Sequence, residues 1–126
     1  MVWLDRTLIT GDYLCLCTTE EEFIKELKRT KVPVPWNKWV DEDALATTHF
    51  LITAKGNRAT FVCINDTETE GIPVATLLVH EAVHVVQEYF RYMGEESPSI
   101  EFQAYAIQKV SALLMYAYSD KLFKEK

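Results

Sequence analysis

Residues 77–87, Leu-Leu-Val-His-Glu-Ala-Val-His-Val-Val-Gln, belong to an apolar run that extends from residue 72 to residue 86. The only strongly polar residues in this run are His80, Glu81 and His84. If the run is helical, side chains four residues apart lie on one face, so His80 and His84 can bind the same metal ion. Glu81 lies one step around the helix, within reach of a water on that metal. The His-Glu-x-x-His spacing therefore predicts a zinc-binding helix.

The residues around this motif favour a helix over the competing interpretation, a buried strand. Pro73 suits a first helical turn, and Gly94 suits a helix C-terminus. Several valines in the run favour strands, but residues 73–93 exceed the usual strand length of roughly 3–10 residues. A strand would also point Glu81 away from both histidines. A metal-free alternative stays open, in which the histidines are hydrogen-bonded core residues of a packing helix.

A catalytic zinc site with two histidines needs a third protein ligand and leaves the fourth position to water. The only other histidine, His49, lies upstream, so a carboxylate is expected as the third ligand. Glu101 is favoured because Ser97 and Pro98 suit the start of a second helix, which would carry Glu101 in its first turn. Glu101 could instead only complement the helix dipole. The alternative carboxylate ligands are Glu95 and Glu96.

The motif with a glutamate on a following helix resembles the gluzincin branch of the zincin metallopeptidases. Over residues 77–108, His-Glu-Ala-Val-His-Val-Val-Gln and then Glu-Phe-Gln-Ala-Tyr-Ala-Ile-Gln are also similar to small metallopeptidases that phages and prophages encode. The resemblance implies that His80, His84 and Glu101 bind one Zn²⁺ per chain. It also implies that Glu81 is the general base in the hydrolysis of a peptide or related amide bond.

The resemblance leaves two further side chains as candidate catalytic residues. Many gluzincins carry an aspartate four residues after the glutamate ligand, where this chain has Tyr105. The hydrogen-bond partner of the zinc histidine is therefore unassigned, although Tyr105 could contact the site or polarise a substrate carbonyl. His49 could help to stabilise an oxyanion, or it could be a structural or solvent-facing histidine.

Residues 47–65 predict a β-hairpin, because β-branched and aromatic flanks surround a Lys55-Gly56-Asn57 turn. Zincins commonly bind extended substrates along a strand edge beside the active-site helix. By this resemblance, the edge of the Thr47–Asn65 hairpin is the candidate site for a peptide or protein substrate. Upstream, residues 13–17 predict a strand, and Thr19 with Glu22 has the spacing of a capping box that starts a helix.

These elements predict one α+β domain over residues 1–126, with a minimal zincin-like architecture. A small antiparallel sheet or hairpin would pack on the active-site helix and on the ligand-bearing helix that follows it, with one further helix near the N-terminus. The chain is 48% hydrophobic and 25% charged, which is ordinary for a globular domain. No pattern in the sequence predicts an oligomeric state.

Charge and cysteine usage restrict the partners and the compartment. The net charge of −6 disfavours contact with a phosphate backbone, so no nucleic-acid partner is expected. The odd cysteine count, without zinc-finger spacing, predicts reduced thiols and an intracellular protein. The N-terminus has no signal-peptide pattern, and the apolar run is too short to span a bilayer. We therefore expect a cytoplasmic protein without a membrane partner, in the host cytoplasm if it is phage-encoded.

Three alternatives to a general peptidase stay open. The first is a zinc-bound but non-catalytic phage structural, assembly or interaction protein, although such a site has no need of Glu81. The second is a toxin or anti-repressor-type protease that acts on one partner. The third is a metal-free helical interaction module. The sequence specifies no substrate for any of them.

Overall fold

The structure is a computed structural model that describes residues 2–3, 12–33, 38–40, 44–65 and 72–124. In chain order the elements are β1 (Val2–Trp3), β2 (Asp12–Cys17), α1 (Glu20–Arg29), β3 (Ala46–Ile52), β4 (Arg58–Ile64), α2 (Ile72–Met93) and α3 (Ile100–Lys124). This arrangement confirms the predicted α+β class. Within these ranges, no helix combines the length and the apolar character needed to cross a membrane.

The strands form one mixed sheet in the order β1-β2-β4-β3. The predicted hairpin is confirmed, since β3 pairs antiparallel with β4, and Gly56 has a φ of 85° in the turn between them. The expectation of an antiparallel sheet is wrong, because β2 pairs in parallel with β4. The segment between β2 and β3 contains α1, and a crossover with a helix is the usual way to bring two strands into parallel pairing.

The two faces of the sheet are covered by different helices, because successive side chains along a strand point in opposite directions. On the central strands, the buried residues in the cluster with α2 and α3 are Leu14, Leu16, Val62 and Ile64. The buried residues in the cluster with α1 are Cys15, Cys17, Ala59, Phe61 and Cys63. Helix α2 therefore lies on the face of the sheet opposite to α1.

The N-terminus of α1 follows the predicted capping pattern. The hydroxyl of Thr19 accepts a hydrogen bond from the backbone N–H of Glu22 at 3.1 Å. The Glu22 carboxylate accepts one from the backbone N–H of Thr18 at 3.2 Å, so two donors at the helix start are satisfied. Phe23 and Leu27 then carry the buried face of α1 onto the sheet.

The C-terminus of α2 confirms the predicted role of Gly94. This residue has a φ of 75°, a left-handed conformation that glycine adopts without steric cost. The N–H of Gly94 donates to the Arg91 carbonyl at 3.1 Å, and the N–H of Glu95 donates to the Phe90 carbonyl at 2.9 Å. This hydrogen-bond pair is a Schellman motif, which ends the helix and turns the chain back toward α3.

Helix α3 begins later than the sequence predicted. Its cap is Ser99 rather than Ser97, because the Ser99 hydroxyl accepts a hydrogen bond from the N–H of Phe102 at 3.1 Å. The Phe102 ring also packs on Phe90 of α2, with centroids 5.6 Å apart. Glu101 nevertheless lies in the first turn of α3, as expected. The buried residues of α3 in the core cluster are Ala106, Val110, Leu114, Ala117 and Tyr118.

Candidate metal centre and active site

The two motif histidines project from the same exposed face of α2. Their Nε2 atoms are 3.2 Å apart, and the His80 side chain is 66% exposed. Two nitrogens that each bind one tetrahedral zinc ion at the usual length are about 3.3 Å apart. The separation therefore fits two ligands of one ion. It also fits a hydrogen bond between a protonated and an unprotonated ring nitrogen.

Glu81 differs from its histidine neighbours because it is buried, with 5% of its surface exposed. Its Oε1 atom accepts a hydrogen bond from the hydroxyl of Thr48 at 2.6 Å. Its Oε2 atom lies 3.9 Å from His80 Nε2, too far for a hydrogen bond. One carboxylate oxygen is thus held by β3, while the other faces the histidine pair.

Sequence reasoning missed Thr48 as a residue of the site. It lies 33 residues before Glu81, and no local pattern links a strand threonine to a helix glutamate at that separation. The contact arises only because α2 packs beside β3. The sequence contained one weak signal for such a contact. Glu81 is a polar residue within an apolar run, and a buried polar side chain needs a hydrogen-bond partner on a neighbouring element.

An open pocket of about 270 Å³ lies between β3 and α2. Its lining residues are Ala46, Thr47, Thr48, Phe50, His80, Glu81 and His84. Phe50 also lines a second pocket of about 380 Å³, whose other lining residues include Arg58 and Tyr92. The guanidinium of Arg58 stacks over the Tyr92 ring there, 3.8 Å from its centroid. The histidine pair therefore opens onto a pocket beside strand β3, and Phe50 is shared with the second pocket.

The structure does not bring the expected third ligand to the histidine pair. Among the described residues, no group of three or more histidine, cysteine, aspartate or glutamate side chains is arranged to hold a metal ion. Glu101 precedes Phe102, whose ring packs on Phe90. Phe90 follows His84 by six residues, which corresponds to about 9 Å along the helix axis. Glu101, like Glu95 and Glu96, is exposed near that end of α2, and its role as a ligand stays a prediction.

The two other candidate catalytic residues lie outside the pocket. Tyr105 is 60% exposed on α3 and does not line it. His49 is buried on the face of the sheet that α1 covers, because it alternates with Thr48 along β3. Its ring stacks on Phe23 with centroids 4.8 Å apart, and its Nε2 lies 2.9 Å from the Trp39 carbonyl oxygen. These contacts fit the structural alternative for His49 rather than an oxyanion role.

The cysteines form a separate buried cluster under α1. The Sγ atoms of Cys15 and Cys17 are 3.8 Å apart, and Cys63 is the parallel-strand partner of Cys17. A hydrogen bond with Cys17, together with burial, raises the pKa of the Cys15 thiol. Burial, together with a hydrogen bond to Cys17, raises the pKa of the Cys63 thiol. The Cys15 and Cys63 thiols therefore stay protonated. All three cysteines are buried in the core.

The chain matches no protein-family model, and no curated protein or solved structure matches it. The resemblance to zincins therefore stays a prediction from the motif, and a functional proposal depends on the geometry of the histidine pair and of Glu81.

Proposed function

We propose that this protein is a zinc-dependent metallopeptidase. His80 and His84 would be zinc ligands, and Glu81 would be the general base. The observation that carries the proposal is the 3.2 Å separation of the two Nε2 atoms on an exposed helix face, beside a buried carboxylate. A bound zinc ion would supply a Lewis acid that activates water near neutral pH.

The carboxylate of Glu81 would carry the proton during hydrolysis. Its Oε2 atom faces the histidine pair, while Oε1 is held by Thr48. Glu81 would accept a proton from the attacking water and then donate it to the leaving amine. This assignment predicts that Glu81→Gln keeps the metal ligands but loses turnover, because an amide cannot act as the base.

The proposed substrate is an extended segment of a peptide or protein. In the sheet formed by the described residues, β4 lies between β2 and β3, so β3 provides the free edge of the hairpin. This edge borders the pocket that contains His80, Glu81 and His84. Main-chain hydrogen bonds to a strand edge hold an extended segment without fixing its sequence. The second pocket, which Phe50 also lines, would then receive side chains of the substrate.

The third zinc ligand is the part of the proposal that a metal analysis must decide. Glu101 is the proposed ligand because it follows the motif on the next helix, as in gluzincins. The alternatives are Glu95 and Glu96. We expect one zinc per chain in the wild type purified without chelator or nickel, and none in His80→Ala. Loss of zinc in Glu101→Ala would assign the ligand, whereas retention would move the role to Glu95, Glu96 or another chain.

A cleavage assay tests the activity itself. Wild type, zinc-stripped wild type and Glu81→Gln are incubated with a mixed peptide library, and new termini are identified by mass spectrometry. Cleavage that needs zinc and disappears in Glu81→Gln is the expected result. Persistent cleavage by Glu81→Gln would refute the base assignment. Stoichiometric zinc without any cleavage would favour the non-catalytic structural or assembly role.

We also propose a cytoplasmic location. The three cysteines of the chain, an odd number, are all buried in the core, and a protein with so few cysteines and no disulfide framework is typical of a reducing compartment. Mass spectrometry of alkylated protein from the native source tests this, because three reduced thiols are expected.

A further inference from the structure

The hydrogen bond between Thr48 and Glu81 joins the proposed substrate strand to the proposed base. The Thr48 hydroxyl donates to Glu81 Oε1 at 2.6 Å, and Glu81 is buried. A separation of 2.6 Å is at the short end of the range for a hydrogen bond from a hydroxyl to an oxygen. The contact is therefore suited to holding the carboxylate in one orientation.

Glu81 has few other means of fixing that orientation. Within the described residues, Thr48 is the only side chain that donates a hydrogen bond to the Glu81 carboxylate. The nearest nitrogen of His80, at 3.9 Å from Oε2, lies beyond hydrogen-bond distance. Without the hydroxyl, the terminal torsion of the glutamate would be free to turn, because rotation about this bond is only weakly restricted.

We propose that Thr48 is a positioning residue that orients the Glu81 carboxylate for proton transfer. By holding Oε1, its hydroxyl turns Oε2 toward the histidine pair, where the attacking water would lie. Since Thr48 belongs to β3, the strand that would bind substrate also sets the position of the base. This inference rests on the proposed function, and it adds a residue that no sequence motif contains.

Three variants at position 48 test the hydroxyl separately from the space that it fills. Thr48→Val keeps the branched shape and loses the hydroxyl. Thr48→Ser and Thr48→Ala differ from each other chiefly by the hydroxyl, so they remain informative if Thr48→Val does not fold. Thr30→Val is the matched control, because its hydroxyl bonds the Glu26 carbonyl of α1, which covers the opposite face of the sheet from α2.

We expect kcat to fall about 10- to 100-fold in Thr48→Val and Thr48→Ala, as for a catalytic group that loses its alignment. KM should stay within about twofold, because the bond aligns the base and does not contact substrate. Zinc content should not change. Thr48→Ser should recover most of the kcat that Thr48→Ala loses, because serine returns a hydroxyl donor to Glu81. Thr30→Val should keep the wild-type kcat, because it leaves the Thr48–Glu81 bond in place.

The outcomes separate this inference from the proposed function. An active wild type, an inactive Glu81→Gln and unchanged kcat in Thr48→Val would refute only the role of Thr48. Equal loss in Thr48→Ser and Thr48→Ala would also refute it, because the hydroxyl would then be irrelevant. A wild type without zinc-dependent hydrolysis would overturn both proposals together.

Discussion

Replacing His84 with alanine distinguishes a metal ligand from a core histidine. His84 is exposed, and within the described residues its hydrogen bond and its ring contact are both with His80 on the same helix. Loss of an exposed side chain that packs against nothing else changes the free energy of unfolding by at most about 0.5 kcal/mol. For a chain of 126 residues, the usual entropy of unfolding converts this into a change in melting temperature of about 2 °C.

Zinc should act on the wild type much more strongly. A ligand present at about 100 times its dissociation constant stabilises the folded state by about 2.7 kcal/mol. With the same entropy of unfolding, the melting temperature of this 126-residue chain should rise by about 10 °C. The rise should disappear in His84→Ala, because only one of the two histidine ligands remains. Without zinc, the melting temperature of the variant should hardly differ from that of the wild type.

Thermal melts with zinc and with chelator measure both quantities. Gln87→Ala is the matched control, since Gln87 is an exposed polar residue on the next turn of α2 and should leave the zinc-induced rise intact. A full rise in His84→Ala would exclude this histidine as a ligand. A large loss of stability in zinc-free His84→Ala would support the interpretation of the pair as a structural feature of the helix.

Three further predictions concern the fold. Ser99→Ala should lower the free energy of unfolding by about 1 kcal/mol in urea titrations, because it removes the cap of α3. If Ser97→Ala has an effect of that size and Ser99→Ala has none, Ser97 caps the helix as the sequence predicted. Phe90→Ala should cost about 3–5 kcal/mol in the same titrations, since the ring is buried against Phe102, and the exposed Met93→Ala should cost less than about 0.5 kcal/mol. Cys63 should resist iodoacetamide near pH 8 until the protein unfolds, because its raised pKa keeps the thiol protonated; rapid labelling of the folded protein would contradict its burial.

Local patterns were sufficient to predict most of the helices and the hairpin. The apolar run with Pro73 and Gly94 predicted α2, and the structure gives a helix over Ile72–Met93. The Gly56 turn predicted the hairpin, because the two strands on either side of it are neighbours in the sequence and can pair directly. Such features depend on residues a few positions apart, where propensity and turn chemistry decide the structure.

The sequence did not predict features for which two nearby residues were equally suitable, or which depend on contacts between residues far apart in the chain. Ser97 and Ser99 flank the same proline, and the sequence alone does not choose between them. The later helix start uses the Ser99 cap and brings Phe102 against Phe90 of the preceding helix. The parallel pairing of β2 with β4 depends on the crossover through α1, which no strand pattern encodes. The position of Glu101 relative to His84 depends in the same way on how α3 packs against α2.

The burial of Glu81 gives a separate reason to assign it a function. A buried carboxylate between a helix and a sheet is costly even when it is hydrogen-bonded, and an apolar side chain of similar size is often as stable or more stable there. Glu81→Met should therefore change the free energy of unfolding by no more than about 1.5 kcal/mol, or raise it, while it abolishes hydrolysis. Urea titration and the peptide-library assay on the same preparation measure the two effects. A loss of more than about 3 kcal/mol would indicate that the Thr48–Glu81 bond mainly supports the fold, because only breaking an essential buried contact costs that much.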